Sequence, residues 1–354
     1  MKKVLQGNIA LCEGAIEGGL DAYYAYPITP QNEISAYFAE VLPKINKVFL
    51  QVESEIAAIN MVFGTATTGK RAMTSSSSPG ISLMQETISY LCACELPCVV
   101  VNVMRGGPGL GNISGSQQDY FQSTKGGGHG DYHCIVLAPF SVEEIYHFAK
   151  ESFLLAEKYR NPVLILYDGY LGQTMEVLDT QKEESKLNVK INQQVDKSWI
   201  LDGAKNRPSR KIRSLLMQEG ELEKHNMKLK EKYEKIKENE VRVKLYEIED
   251  AEICLVAYGI AARAALDAVY KLRKQNIKAG LIRPQTLFPF PYKEIKEISK
   301  KVKKFLVVEM NLGQMVEDVK LAVEEKKVFF YGRPGGCLVS AKEIIENVKS
   351  IFQN

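Results

Sequence analysis

Apolar residues in the first third of the chain come in short runs that stop at a polar residue and resume at helical spacing. Ala22-Tyr23-Tyr24-Ala25-Tyr26 halts at Pro27-Ile28-Thr29-Pro30, and Ile34, Tyr37, Phe38 and Val41 then recur three or four residues apart. That change of period predicts a buried strand followed by an amphipathic helix. Thr29 is expected at the helix N-cap and Pro30 at its first position, where the missing N–H costs nothing. The run Val48-Phe49-Leu50-Gln51-Val52 repeats the pattern. It leads through Glu53-Ser54-Glu55 into a helix over Ile56, Ala57, Ile59 and Met61, closing at Gly64 or Gly69, with Glu55 in the first turn. A third run, Cys98 to Met104, ends at Arg105 and opens the glycine-rich loop Gly106-Gly107-Pro108-Gly109-Leu110-Gly111. In open parallel sheets ligands bind outside the carboxyl ends of the strands. A hydroxyl (Thr29), a carboxylate (Glu55) and a guanidinium (Arg105) would therefore converge on one crevice.

The remaining chain continues the alternation. Residues 4–20 read as an amphipathic helix through Ile9, Cys12, Ala15 and Ile16. Arg71 to Ser78 reads as a strand stopped by Pro79-Gly80, with Ile81, Leu83, Met84, Ile88 and Leu91 in the helix that follows. The serine run Ser75-Ser76-Ser77-Ser78 has two readings: a polar turn with a helix N-cap, or hydroxyls and N–H groups facing the crevice. Residues 106–132 hold many glycines and few apolar residues, a loop length that in a compact domain points to function or disorder. Ile135-Val136-Leu137 predicts a strand, Ser141-Val142-Glu143-Glu144 a capping box, and Val163 to Tyr167 a strand ending at Asp168-Gly169. Residues 1–180 are expected to form a first domain and 181–248 a charged helical connector. Residues 249–354 form a second β-α-β domain, with strands at Ile253–Gly259, Ala279–Arg283 and Lys304–Glu309.

Composition narrows the function. Hydrophobic residues at 45% and charged residues at 25% of a 354-residue chain suit a water-soluble protein with more than one core. No apolar run approaches the about 20 residues that cross a bilayer, and Gln6-Gly7-Asn8 interrupts any signal-peptide core, so a cytoplasmic protein with no membrane partner is expected. A net charge of +3, with acidic residues interleaved among the basic ones, gives no footprint for nucleic acid. The seven cysteines lack zinc or iron-sulfur spacing and read as reduced, buried thiols, and no metal site is expected in this chain. Gly64-x4-Gly69-Lys70 fails as a phosphate loop, because Arg71 stands where a magnesium-binding hydroxyl is needed and the order is helix, loop, strand. Gly107-x-Gly109-x-Gly111 lacks the dinucleotide spacing.

The surviving crevice has a familiar frame. Tyr26-Pro27-Ile28-Thr29-Pro30, Glu53-Ser54-Glu55, Ser75 to Gly80 and Met104-Arg105-Gly106-Gly107-Pro108-Gly109 resemble the α subunit of 2-oxoacid:ferredoxin oxidoreductases. The tetra-serine run, Gly109-Leu110-Gly111-Asn112-Ile113 and Thr124 to Tyr132 look most like the branched-chain (2-oxoisovalerate) subunit, with the 2-oxoglutarate subunit as the alternative. Arg283 to Pro291 and Val308 to Met315 resemble the transketolase C-terminal-like domain that follows in that family. The resemblance implies an α/β fold: a parallel-sheet, pyrimidine-type thiamine-diphosphate-binding domain followed by a transketolase C-terminal-like α/β domain. It implies that Glu55, with Tyr26 and Ser77, meets the cofactor, Glu55 by hydrogen-bonding the aminopyrimidine ring, and that Thr29 and Arg105 orient the substrate. Glu53 stays a rival to Glu55, Arg105 could pair with Glu53 or Asp119 instead, and His129 reads as a pocket or a backbone-held loop residue.

The implied reaction is coenzyme-A-dependent oxidative decarboxylation of a branched 2-oxoacid, with ferredoxin taking the electrons. The chain has no Gly-Asp-Gly motif with its Asn pair, and Tyr167-Asp168-Gly169 is a poor substitute. The resemblance therefore implies a β subunit holding Mg2+ and the diphosphate of thiamine diphosphate, a γ subunit, and a ferredoxin-like subunit holding the iron-sulfur clusters. A scaffold subunit without turnover, and a transketolase-like transferase needing no electron acceptor, are the competing readings.

Overall fold

The computed structural model describes residues 2–180 and 196–353. The first part of the expected connector, 181–195, lies outside the described residues. In chain order the first unit comprises β1 (Lys2–Gln6), α1 (Gly7–Glu17), β2 (Ala22–Ala25), α2 (Asn32–Val41), β3 (Val48–Gln51), α3 (Glu55–Thr67), β4 (Ala72–Ser76) and α4 (Ser78–Ala93). It continues with β5 (Val99–Met104), α5 (Tyr120–Thr124), β6 (Ile135–Leu137), α6 (Val142–Tyr159), β7 (Val163–Asp168), α7 (Gly169–Gln173) and β8 (Met175–Asp179). Helix α8 (Glu221–Asn239) leads to β9 (Val243–Tyr246), β10 (Ile253–Val256), α9 (Gly259–Arg273), β11 (Ala279–Pro284), β12 (Thr286–Phe288) and α10 (Tyr292–Ser299). The chain ends with β13 (Lys304–Glu309), α11 (Met315–Ala322), β14 (Val328–Gly332) and α12 (Ala341–Gln353).

The main sheet runs β12-β6-β7-β5-β4-β2-β3, parallel except where β12 lies antiparallel against β6. Strands β4, β5 and β7 are buried throughout, and β5 and β7 accordingly read as nearly unbroken apolar runs rather than alternating ones, whereas β4 buries the hydroxyls of Thr74, Ser75 and Ser76. One face packs on α1, α2 and α6 through Leu11, Ala15, Ile34, Phe38, Ala149 and Phe153. The other packs on α3 and α4, and α8 joins that core with Leu229, Tyr233 and Ile236 while its charged face stays in solvent. A second sheet runs β14-β13-β10-β11-β9, parallel apart from β9.

Four expectations shift. Residues 2–6 form a strand pairing with β8, so the first helix begins at Gly7, not residue 4. Helix α2 begins at Asn32 with Gln31 at its N-cap, so Thr29 and Pro30 lie in the preceding turn rather than at the cap and first helical position. The strand expected over 71–78 is confined to Ala72–Ser76, and Ser78 already belongs to α4. Two segments also cross the expected boundaries: β9 belongs to the second sheet and β12 completes the first. Among the described residues, no helix is long and apolar enough to cross a membrane.

Candidate functional site at the parallel strand ends

Strands β2, β3, β4 and β5 are parallel neighbours in the order β5-β4-β2-β3, so their carboxyl ends share one edge. The chain steps outward from β2 to β3 and then back across β2 to β4, so the strand order reverses there and the crevice is a ligand site by topology. The three predicted residues all leave this edge, Thr29 after β2, Glu55 after β3 and Arg105 after β5.

Glu55 owes its place to Ser54. The Ser54 backbone is extended (φ −163°, ψ 162°) and its Oγ accepts the Ala57 N–H at 3.2 Å, so α3 starts at Glu55. A carboxylate in a first helical turn also meets the positive end of the helix dipole. Glu55 is 5% exposed, whereas its rival Glu53 is exposed to solvent. Ser76 Oγ lies 3.5 Å from Glu55 Oε1. Gly80 completes the cradle: a Cβ there would sit 2.0 Å from Ser76 Oγ and 2.4 Å from Glu55 Oε1. Only a glycine lets α4 approach the carboxylate this closely.

Arg105 is held by backbone rather than by acid. Its Nη1 donates to the Thr29 carbonyl at 3.0 Å and its Nη2 to the Leu110 carbonyl at 3.1 Å. Among the described residues its guanidinium meets no carboxylate, and its buried Nε has no acceptor. Asp119, one of the expected alternatives for Arg105, instead accepts from Ser78 Oγ at 2.5 Å and Asn102 Nδ2 at 2.9 Å. Burial pushes the Asp119 carboxyl above its ordinary range, against the lowering by those two donors. Thr29 Oγ1 accepts from Asn32 Nδ2 at 3.2 Å, which leaves its proton to donate elsewhere.

The four serines divide their work. Ser75 bonds Tyr23 and Gln31, each at 2.6 Å, while Ser76 meets Glu55 and Ser78 meets Asp119. Ser77 stands at the N-cap of α4 without a side-chain cap bond, and its fully buried Oγ has no partner among the described residues. Gln31 Nε2, buried in the turn after β2, is orphaned as well. Buried polar groups are nearly always satisfied, so such orphans at a strand edge suit a bound polar molecule. Tyr26 is 40% exposed just beyond β2, and His129 is exposed in the loop after α5. Among the described residues, no group of three or more His, Cys, Asp or Glu side chains is placed to hold a metal ion.

Sequence reasoning passed over Gln31 and Asn102. Gln31 carries no local signal. Asn102 does, as the one amide inside the buried run Val99-Val100-Val101-Asn102-Val103, and it accepts the Ser78 N–H at 3.1 Å besides donating to Asp119.

A buried carboxylate, a hydroxyl and a guanidinium without a carboxylate partner lie along the switch-point edge of a parallel α/β sheet that is followed by a second α/β domain, and the family comparisons give the class as a thiamine-diphosphate-binding one. The family model described as "Pyruvate flavodoxin/ferredoxin oxidoreductase, thiamine diP-bdg" matches residues 13–247, and that described as "Pyruvate:ferredoxin oxidoreductase core domain II" matches 251–344. The ketoisovalerate oxidoreductase subunit VorB of Methanothermobacter marburgensis is 46% identical over 99% of this chain and 97% of its own. The 2-oxoglutarate synthase subunit KorA of Methanocaldococcus jannaschii is 35% identical over 96% of this chain and 97% of its own. Among solved structures, the 2-oxoglutarate:ferredoxin oxidoreductase from Magnetococcus marinus with 2-oxoglutarate, coenzyme A and succinyl-CoA bound superposes with TM-score 0.87 at 29% identity. The match covers 99% of this chain, which spans 65% of that longer one. A split-gene transketolase shares the fold, with TM-score 0.60 at 14% identity. The chain belongs to the 2-oxoacid:ferredoxin oxidoreductase family.

Proposed function

We propose that this chain is the pyrimidine-binding and substrate-binding subunit of a branched-chain 2-oxoacid:ferredoxin oxidoreductase, which converts 2-oxoisovalerate and coenzyme A to an acyl-CoA and passes electrons to ferredoxin. The observation that carries the reading is the pairing of a buried Glu55 at a helix start with an Arg105 that has no carboxylate partner, both on one sheet edge. Thiamine diphosphate, when bound, supplies the electron sink that decarboxylation of a 2-oxoacid requires. Glu55 would share a proton with the aminopyrimidine ring in a site closed to water, with Ser77 and Tyr26 beside the cofactor. Arg105 suits a substrate carboxylate, since a guanidinium binds carboxylates bidentately, and the Thr29 hydroxyl has a proton for a neighbouring substrate oxygen.

The diphosphate, Mg2+ and iron-sulfur clusters fall to partner subunits, the β and γ chains and a ferredoxin-like chain, so the site is completed only on assembly. Free cysteines, six buried and one exposed, suit a reducing cytoplasm. The 46% identity to a subunit named for ketoisovalerate, against 35% to one named for 2-oxoglutarate, favours the branched substrate. The test is anaerobic reduction of a low-potential dye by the chain assembled with its partner subunits, with thiamine diphosphate, magnesium and coenzyme A. The expected result is a kcat/KM for 2-oxoisovalerate at least about tenfold above that for 2-oxoglutarate, the selectivity that one apolar pocket contact provides. The reverse preference overturns the substrate assignment.

A further inference from the structure

We infer that the second domain takes part in substrate recognition by setting the position of Arg105, and that Gln118 is the positioning residue through which it does so. This rests on the role proposed for Arg105.

The guanidinium is tied to the loop it introduces, since Nη2 donates to Leu110 within residues 106–115. That loop folds back on itself, with the Gly106 N–H on the Ser114 carbonyl, the Asn112 N–H on the Gly106 carbonyl, and Arg105 bridged to Gly115. Its glycines leave it little stiffness of its own. Gln118 fastens it, its Oε1 accepting the Gly107 N–H at 2.8 Å and the Ser116 hydroxyl at 3.1 Å.

Gln118 is in turn fixed from the other domain. Gln314, ahead of α11, donates from Nε2 to the Gln118 carbonyl at 2.8 Å and accepts the Phe121 N–H on Oε1 at 2.8 Å. The neighbouring Gln117 is fully buried, trades main-chain and side-chain bonds with Met310, and donates from Nε2 to the Tyr258 carbonyl at 2.8 Å. Asn311 Nδ2 reaches the Gln117 carbonyl at 2.8 Å. Glu309, fully buried at the end of β13, shapes the turn that presents these groups, accepting from Asn311 Nδ2 and from the N–H groups of Met315 and Val316. Glu309 Oε1 also accepts the Gln314 N–H at 3.2 Å, so a chain of hydrogen bonds runs from β13 through Gln314 and the carbonyl and side chain of Gln118 to Gly107, two residues from Arg105. Misplacing a binding group by about 1 Å can cost on the order of 100-fold in rate.

The experiment compares, in the assembled complex, Gln118→Leu, Gln118→Glu, Arg105→Ala and the Gln118→Leu/Arg105→Ala double variant, reading KM for the 2-oxoacid, kcat, and thiamine diphosphate affinity. The expected result is a KM raised about tenfold in Gln118→Leu with cofactor affinity unchanged, recovery in Gln118→Glu, which keeps the accepting oxygen, and less than about twofold further loss in the double variant. Gln314→Met tests the same link from the second domain and gives the same KM rise. An unchanged KM in both Gln118→Leu and Gln314→Met, or a full additional loss on top of Arg105→Ala, overturns the inference while leaving the Arg105 reading intact. An Arg105→Ala variant with wild-type KM overturns that reading, and this inference with it.

Discussion

Glu55, beyond β3, and Asp168, the last residue of β7, are both buried carboxyls at the ends of parallel strands, yet their surroundings differ. Asp168 caps α7, its Oδ1 accepting the N–H groups of Tyr170 at 2.9 Å and Leu171 at 3.1 Å, and its other oxygen is buried as well. Burial pushes its carboxyl up from 3.8 to about 6, the backbone donors offsetting only part of that. With the folded-state value raised, its contribution to stability is complete below the unfolded-state value. It is lost as pH rises through about 6, because the unfolded chain ionises first. Two pH units correspond to about 3 kcal/mol. From about pH 4 to about pH 7 the urea denaturation midpoint of wild type should therefore fall relative to that of Asp168→Asn, which keeps the capping oxygen and does not titrate, so that all other titrations cancel in the comparison. Equal differences would contradict this account of Asp168. In the sequence, Glu55 and Arg105 stood out because each ends an apolar run. Gln31 did not, since its partner Ser75 lies 44 residues along the chain.

The buried central strands were the most readable elements, because apolar runs are local, whereas the starts of α1 and α2 and the end of β4 each shifted by two or three residues. Ser141 caps α6 by accepting the Glu144 N–H, as the capping pattern predicts, although Glu144 turns its carboxylate to the Phe140 N–H and to Arg283, and Ser54 caps α3 where no cap was expected. Strands β1, β8, β9 and β12 were missed for the opposite reason: each is short and stabilised by a partner far away in sequence. The N-cap of α2 was misplaced by two residues, at Thr29 instead of Gln31, because a Thr-Pro pair signals a turn as well as a cap. The close approach of α4 to α3 at Gly80 gives an element-level test. Gly80→Ala forces its Cβ against Ser76 and Glu55, so it should cost about 1–3 kcal/mol of stability and, by shifting the carboxylate, on the order of 100-fold in dye-reduction rate. Wild-type turnover in Gly80→Ala would mean that the position of Glu55 does not matter.

The two units share a core. A single hydrophobic cluster runs from Ile59, Ile88 and Leu91 under the main sheet to Val256, Phe305 and Met315 in the second domain. Across this boundary Arg283, fully buried on β11, forks onto both oxygens of Glu144 on α6 at 2.8 and 2.6 Å, with its guanidinium 3.8 Å from the centre of the Phe140 ring. Removing one partner of such a pair strands the other charge in a dry site. Arg283→Met should lower stability by about 3–5 kcal/mol, measured by chemical denaturation. A loss below about 1 kcal/mol would show that Lys244 and Gln285, which also face Glu144, suffice to satisfy it.

The most direct test of the central claim, that this chain contributes the cofactor's carboxylate to a site shared between subunits, is the Glu55→Gln variant in the assembled complex, assayed anaerobically by dye reduction with saturating 2-oxoisovalerate, coenzyme A and thiamine diphosphate. The account predicts normal assembly with turnover reduced by at least about 100-fold, the scale of a positioned proton-transfer group. Wild-type turnover in Glu55→Gln, with Glu53→Gln inactive, would contradict it and move the role to Glu53.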